Sequence, residues 1–226
     1  MNAASEPRAV IFDMDGVLIT SEALKAEAHA ATVRALGGEI DPGFYGRVMG
    51  QDHDTARSAF MKAAGIDPSP EQYSALYRKN YEQLMASDLR VALGVEPLLA
   101  ALEQRRYRRG MVTSSVQWMV ERVFRQTGLG RHFDAVVSGD DVERHKPAAD
   151  AYLLALDRLA VTAARAVVIE DSEPGVMAAT GAGIRVIALR HDFNRTHDFT
   201  RAACAIDSLA DTERVVGHIE GILLED

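Results

Sequence analysis

The sequence predicts an α/β fold: a parallel sheet core flanked by helices, with an α-helical cap inserted after the first strand. Short apolar runs alternate with longer helical patterns, and the first two runs are separated by an interval too long for an ordinary crossover between parallel strands. Carboxylates also stand directly behind the first and fourth runs, at the carboxyl end of a strand, where open α/β sheets bind ligands.

Ala9-Val10-Ile11-Phe12 opens the pattern as a β-rich run too short for a helix. From about Ile19 to Leu93 no strand pattern occurs. Within that interval Ser21 to Leu36 is rich in Ala, Glu and Leu and is stopped by Gly37-Gly38. Asp54 to Ala64 ends at Gly65 in the same way. Ser69 then supplies a capping residue, Pro70 the first helical position and Glu71 an early acid for a third helix running to about Ser87. The strand pattern resumes at Gly110-Met111-Val112, followed by Ala135-Val136-Val137, Ala166-Val167-Val168-Ile169 and Arg185-Val186-Ile187-Ala188-Leu189. Most of these runs are near-continuously apolar, as strands buried on both faces are. Residues 1–18 with 94–226 are thus assigned to the α/β core and residues 19–93 to the helical cap.

Of 226 residues, 47% are hydrophobic and 26% charged, which places the chain in the ordinary globular class and excludes disorder, collagen and coiled coil. No apolar run reaches the roughly 18 residues of a membrane helix, and the start MNAASEPR lacks the pattern of a signal peptide. A cytoplasmic protein is expected. The lone Cys204 excludes an intrachain disulfide and a thiolate zinc site. With 25 Lys plus Arg against 33 Asp plus Glu, the net charge of −8 disfavours nucleic acid as a partner and favours a small molecule. A monomer is the default expectation.

Chemistry concentrates at the ends of the strands. Asp13-Met14-Asp15-Gly16 places two carboxylates with strand spacing after the first run, a pair able to hold a divalent cation through oxygen ligands. Thr113-Ser114-Ser115 closes the second run with hydroxyls, and a helix opening at Ser115 would aim backbone N–H groups at an anion. Lys146-Pro147 sets an ammonium beside a helical pattern from Ala148 to Leu159, a placement that a bound anion would compensate. Glu170-Asp171-Ser172 ends the fourth run with two further acids.

These motifs, Asp13-Met14-Asp15-Gly16-Val17-Leu18, Thr113-Ser114-Ser115, Lys146-Pro147-Ala148-Ala149-Asp150 and Glu170-Asp171-Ser172-Glu173-Pro174-Gly175, resemble in order and spacing those of the haloacid dehalogenase superfamily of phosphotransferases. The likeness covers nearly the whole chain, and the helical insertion is similar to that of the subfamily of β-phosphoglucomutase and sugar-phosphate phosphatases. It implies a Rossmann-like core. Asp13 would be the nucleophile that accepts the phosphoryl group and Asp15 the general acid and base. Thr113, Ser114 and Lys146 would hold phosphoryl oxygens. Magnesium would be bound by Asp13, the backbone carbonyl of Asp15, Asp171 and Glu170. Asp15 sets the chain apart from the dehalogenases, whose halide leaving group needs no proton.

The resemblance therefore implies a magnesium-dependent phosphomonoester hydrolase that acts on a small phosphorylated metabolite, a sugar phosphate or a nucleotide, through an aspartyl phosphate. The alternative is a β-phosphoglucomutase type of mutase. Lys25 falls where the mutase carries a His, and His53 where it carries a substrate-binding Arg, so hydrolysis is preferred. Lys25, Arg47 and His53 are the candidate substrate contacts of the cap, the last two on the loop Gly46–His53. A receiver-like phosphate-sensing module is a further alternative, but its phosphoacceptor stands on a later strand than Asp13 does.

Three remaining features receive non-catalytic assignments. The run Arg105-Arg106-Tyr107-Arg108-Arg109 is expected to decorate a helix end. Trp118 and Phe124, at helical spacing, are expected to pack in the core. The sequence His191-Asp192-Phe193-Asn194-Arg195 recurs as His197-Asp198-Phe199-Thr200-Arg201, and both histidines are expected in a solvated loop.

Overall fold

The computed structural model describes residues 6–224; residues 1–5, which carry most of the signal-peptide expectation, and residues 225–226 lie outside the described residues. Strands β1 (Ala9–Phe12), β2 (Arg108–Val112), β3 (Ala135–Val137), β4 (Ala166–Glu170), β5 (Arg185–Leu189) and β6 (Cys204–Ile206) form one parallel sheet in the order β3-β2-β1-β4-β5-β6. The chain runs outward from β1 to one edge and then returns to its other side with β4, so the order reverses beside β1. Register aligns Phe12 with Met111 on one side and Ile169 on the other. The residues that follow, Asp13, Thr113 and Glu170, consequently emerge at one end of three adjacent strands.

Burial on both faces explains why the strands read as continuous apolar runs. Val10, Phe12, Val167 and Ile169 join one buried cluster, whereas Ala9, Ile11, Ala166 and Val168 join the other, the alternation that a strand imposes. The first cluster lies under α4 (Val95–Gln104), α5 (Gln117–Thr127) and α8 (Thr212–Leu224). The second lies under α6 (Asp150–Leu159) and α7 (Glu173–Gly181).

Between β1 and α4 stand α1 (Glu22–Ala35), α2 (His53–Ala64) and α3 (Pro70–Asp88), each within a residue or two of its expected bounds. Ser69 Oγ accepts the Gln72 N–H at 3.2 Å and Asp52 Oδ1 the Thr55 N–H at 2.9 Å, caps that fix where α3 and α2 begin. His29, Phe60, Tyr73 and Tyr77 pack together where the three helices meet, with His29 and Phe60 stacked at 4.3 Å. Among the described residues, no helix is long and apolar enough to cross a membrane.

Beyond the five runs read from the sequence, a sixth strand, Cys204–Ile206, pairs with β5 at the sheet edge and adds to the reading without contradicting it. Some expectations need correction. Helix α6 begins at Asp150 and not at Ala148. The arginine run splits: Arg105 ends α4 and reaches Glu213 at 3.1 Å, whereas Arg108 and Arg109 are part of β2. Trp118 and Phe124 are half-buried against the core, as their spacing predicts.

Candidate active site

Asp13 leaves the end of β1 with its N–H donated to the Ile169 carbonyl at 3.0 Å, which ties the acid to the neighbouring strand. The buried Lys146 ammonium donates to Asp13 Oδ1 at 2.5 Å and to Glu170 Oε1 at 2.6 Å. Tyr152 OH also donates to Glu170 Oε1, at 3.1 Å. The other Glu170 oxygen accepts the Asp171 and Ser172 N–H groups, both at 2.8 Å, and Ser172 Oγ at 3.0 Å. Glu170 thereby fixes both the turn after β4 and the lysine. Lys146 lies ahead of the α6 N-terminus, and its partners are these carboxylates rather than a helix end.

Asp15 has separate partners. Its carboxylate accepts Ser21 Oγ at 2.6 Å, Ser115 Oγ at 2.7 Å and Thr113 Oγ1 at 3.4 Å, and Lys25 Nζ stands 2.6 Å away. Lys25 comes from α1 and also donates to Ser115 Oγ at 3.1 Å, so one side chain of the helical insertion holds both the acid and the loop after β2. Ser115 does not open a helix as expected: α5 starts at Gln117, whose N–H is taken by Asp140 at 2.7 Å. Ser114 Oγ instead donates to the cap carbonyl of Gly50 at 3.0 Å.

The two acids differ electrostatically. Burial, reinforced by Glu170 and Asp15 against Lys146, pushes Asp13 up to about 8. Burial also acts on Asp15, but the Lys25 charge and the hydrogen bonds from Lys25, Ser21 and Ser115 prevail and hold it below the usual carboxylate range. Asp171 is driven well above that range by burial, Asp13 and Glu170. Glu22, at the start of α1, is pushed up to about 8, first by burial, and its Oε2 is a buried atom without a hydrogen-bond partner.

Asp13, Glu170 and Asp171 each offer a carboxylate oxygen within 4.8 Å of the others. The Asp15 carboxylate is outside this group. Five buried carboxyl groups, on Asp13, Asp15, Glu22, Glu170 and Asp171, stand against the two ammonium groups of Lys25 and Lys146, so negative charge is in excess once all of them are ionised. Hard oxygen donors with uncompensated charge fit magnesium. Gly16 makes the approach possible: its φ is +76°, and a Cβ there would lie 1.8 Å from Asp171 Oδ2.

The helical segment between β1 and α4 covers this cluster. A cavity of ≈ 20 Å³ remains between Asp13, Asp15, Thr113 and Asp171 and the cap residues Lys25, Tyr45 and Gln51. His53 lines an adjoining space of ≈ 30 Å³ with Lys25, Tyr77 and Ser115. Arg47 is not brought to the site; it is exposed, with its guanidinium 5.5 Å from the Phe44 ring. The larger cavity nearby, ≈ 370 Å³ beside Leu93 and Leu189, is lined by neither Asp13 nor Asp15.

The expectation of solvated histidines is also corrected. His191 Nε2 lies 2.8 Å from Asp171 Oδ2, and His197 accepts the Glu173 N–H at 3.0 Å while its Nε2 faces the Gly46 carbonyl at 3.1 Å. Sequence reasoning also missed Ser21, Tyr45, Gln51 and Tyr152. Ser115 and Ser172 had a local signal, being continuous with recognised motifs, and Gln51 lies on the loop Gly46–His53 that was singled out for Arg47 and His53.

A family model described as haloacid dehalogenase-like hydrolase matches residues 10–189. The phosphorylated carbohydrates phosphatase of Thermotoga maritima is 34% identical over 187 residues, 82% of this chain and 87% of that protein. The fructose-1-phosphate phosphatase of Escherichia coli is 31% identical over 80% of this chain and 95% of its own length. Among solved structures, CbbY from Rhodobacter sphaeroides in complex with phosphate is 31% identical with a TM-score of 0.80, covering 91% of this chain and 96% of that one.

Proposed function

The chain belongs to the haloacid dehalogenase-like hydrolases and is a phosphatase of that family, and from this premise we propose that it hydrolyses small sugar phosphates with magnesium through a phosphoryl group carried on Asp13. The observation that carries the proposal is the separation of Asp13 and Asp15. Asp13 stands between Lys146 and Asp171 at the point where the strand order reverses, and Asp15 is held apart by hydroxyls and Lys25.

In the first half reaction an Asp13 oxygen attacks phosphorus in line, the bond from phosphorus to the leaving oxygen breaks, and Asp15 gives that oxygen its proton. In the second, water attacks the same phosphorus, Asp15 takes the water proton, and Asp13 is released with inorganic phosphate. Lys146 and the Thr113 hydroxyl hold the phosphoryl oxygens during both. Asp13, Asp171 and the Asp15 carbonyl would hold the magnesium, with Glu170 bracing the turn that carries Asp171. When bound, magnesium supplies the positive charge that offsets repulsion between the Asp13 carboxylate and a phosphate dianion.

Lys25 keeps Asp15 ionised while the cap is closed, the form that accepts a proton from water. For the first half reaction Asp15 needs a proton, so Lys25 has to release it as substrate enters. A sugar as substrate is supported by the Thermotoga and Escherichia relatives and by the Tyr45, Gln51, His53 and Tyr77 groups around the two small spaces, which can hydrogen-bond hydroxyls.

Asp13→Asn tests the proposal. Phosphate release from a panel of sugar monophosphates should fall by at least about 10³-fold. Acid-quenched wild type should carry the added mass of one phosphoryl group, and the variant none. Full activity in the variant would sink the assignment. Phosphorus NMR of β-glucose 1-phosphate with a trace of glucose 1,6-bisphosphate decides against the mutase: free phosphate is expected, not glucose 6-phosphate.

A further inference from the structure

The acids of the site differ in the charge of their partners. Asp13 is paired with the Lys146 ammonium and Asp15 with that of Lys25. Asp171, whose side chain is 3% exposed, has the His191 imidazole at 2.8 Å. The tautomer of that imidazole is set by its other nitrogen. His191 Nδ1 accepts the Phe193 backbone N–H at 3.2 Å, so the proton of a neutral ring belongs on Nε2, which donates to Asp171 Oδ2.

The loop that carries His191 is itself anchored to Asp171. Asn194, buried to 2% exposure, donates through Nδ2 to the Asp171 carbonyl and to the Leu189 carbonyl, both at 2.8 Å. Its Oδ1 accepts the His191 N–H at 2.9 Å. The segment after β5 therefore holds the backbone and the side chain of Asp171 at once.

We infer that His191 is a positioning residue for cation binding, an Nε2–H donor that orients the Asp171 carboxylate for the metal. The inference rests on the magnesium reading of the site. Groups that orient a metal ligand from behind typically change metal affinity by about 10- to 100-fold when removed. His191 does this here from a loop remote in sequence from every recognised motif except the strand it follows.

The test is direct binding of Mn²⁺ to the cation-stripped full chain, followed by the loss of the free Mn²⁺ EPR signal, with no substrate present. His191→Gln keeps a donor near the Nε2 position; His191→Met keeps the bulk and removes the donor. Wild type and His191→Gln should bind one Mn²⁺ with similar affinity, and His191→Met should bind about 10- to 100-fold more weakly. Melting of each cation-stripped protein identifies variants that fold. Equal affinity in His191→Gln and His191→Met overturns the positioning role, and if wild type still loses Mn²⁺ on Asp171→Asn, the magnesium reading survives that failure. A wild type that binds no Mn²⁺ overturns both.

Discussion

Asp13 and Asp15 are separated by one residue and both are buried, yet their surroundings drive them in opposite directions. Burial raises both; Lys25, together with the Ser21 and Ser115 hydroxyls, brings Asp15 back below the usual range. Removing the ammonium in Lys25→Met leaves burial unopposed by that charge, so the Asp15 pKa must rise. An acid with a higher pKa stays protonated to higher pH, and the alkaline limb of the kcat/KM profile is expected to move upward in the variant. A limb in the same place would mean that Asp15 is not the proton donor. Lys25 also marks a limit of sequence reading: its position aligned it with a substrate contact, but its bond to Asp15 depends on how far the cap closes.

The cap approaches the core through glycines. Gly50 has φ +81°, and a Cβ there would stand 2.3 Å from Ser172 Oγ. Gly50→Ala should hold the loop off the core, with left-handed strain of about 1–2 kcal/mol added. The expected outcome is a KM raised about tenfold with the melting of the core unchanged; an unaltered KM would show that closure does not depend on this contact. Within the cap, burial holds His29 neutral, well below its ordinary value. The unfolded chain takes a proton below about pH 6.5 that the folded cap refuses, so this stability is present above that pH and lost as pH falls. Melting between about pH 7 and about pH 5 should therefore drop more steeply in wild type than in His29→Gln. Parallel slopes would contradict the burial argument. The core strands and cap helices were legible because buried runs, glycine stops and the Ser69-Pro70 cap are local signals. Cys204–Ile206 was not, since a three-residue edge strand is defined by its partner β5. His191 and Asn194 escaped for a similar reason: their partner Asp171 lies on another loop, and only the sheet brings the two together.

Across the molecule, the parallel sheet delivers Asp13, Glu170 and Asp171 to the carboxyl ends of two adjacent central strands, and the helical insertion adds Glu22 to the same buried space. That concentration has a cost that the proposed cation would offset. With no cation, Asp13 and Glu22 are each pushed up to about 8 and Asp171 also upward, chiefly by burial. Folded-state values raised above the unfolded ones mean that the fold binds more protons than the unfolded chain. Their contribution to stability is therefore complete below about pH 4 and is lost as pH rises towards about 8. Magnesium needs the deprotonated ligands, so its binding competes with those protons and strengthens over the same range. At 100 times its dissociation constant it should stabilise the fold by about 2.7 kcal/mol. Melting with and without Mg²⁺ at about pH 6 and about pH 8 should show the larger gain at the higher pH. Asp171→Asn, which removes one charge and one ligand, should melt above wild type without the cation at about pH 8 and gain little from adding it. A gain from Mg²⁺ that is independent of pH, or one retained in Asp171→Asn, would place the cation elsewhere on the protein.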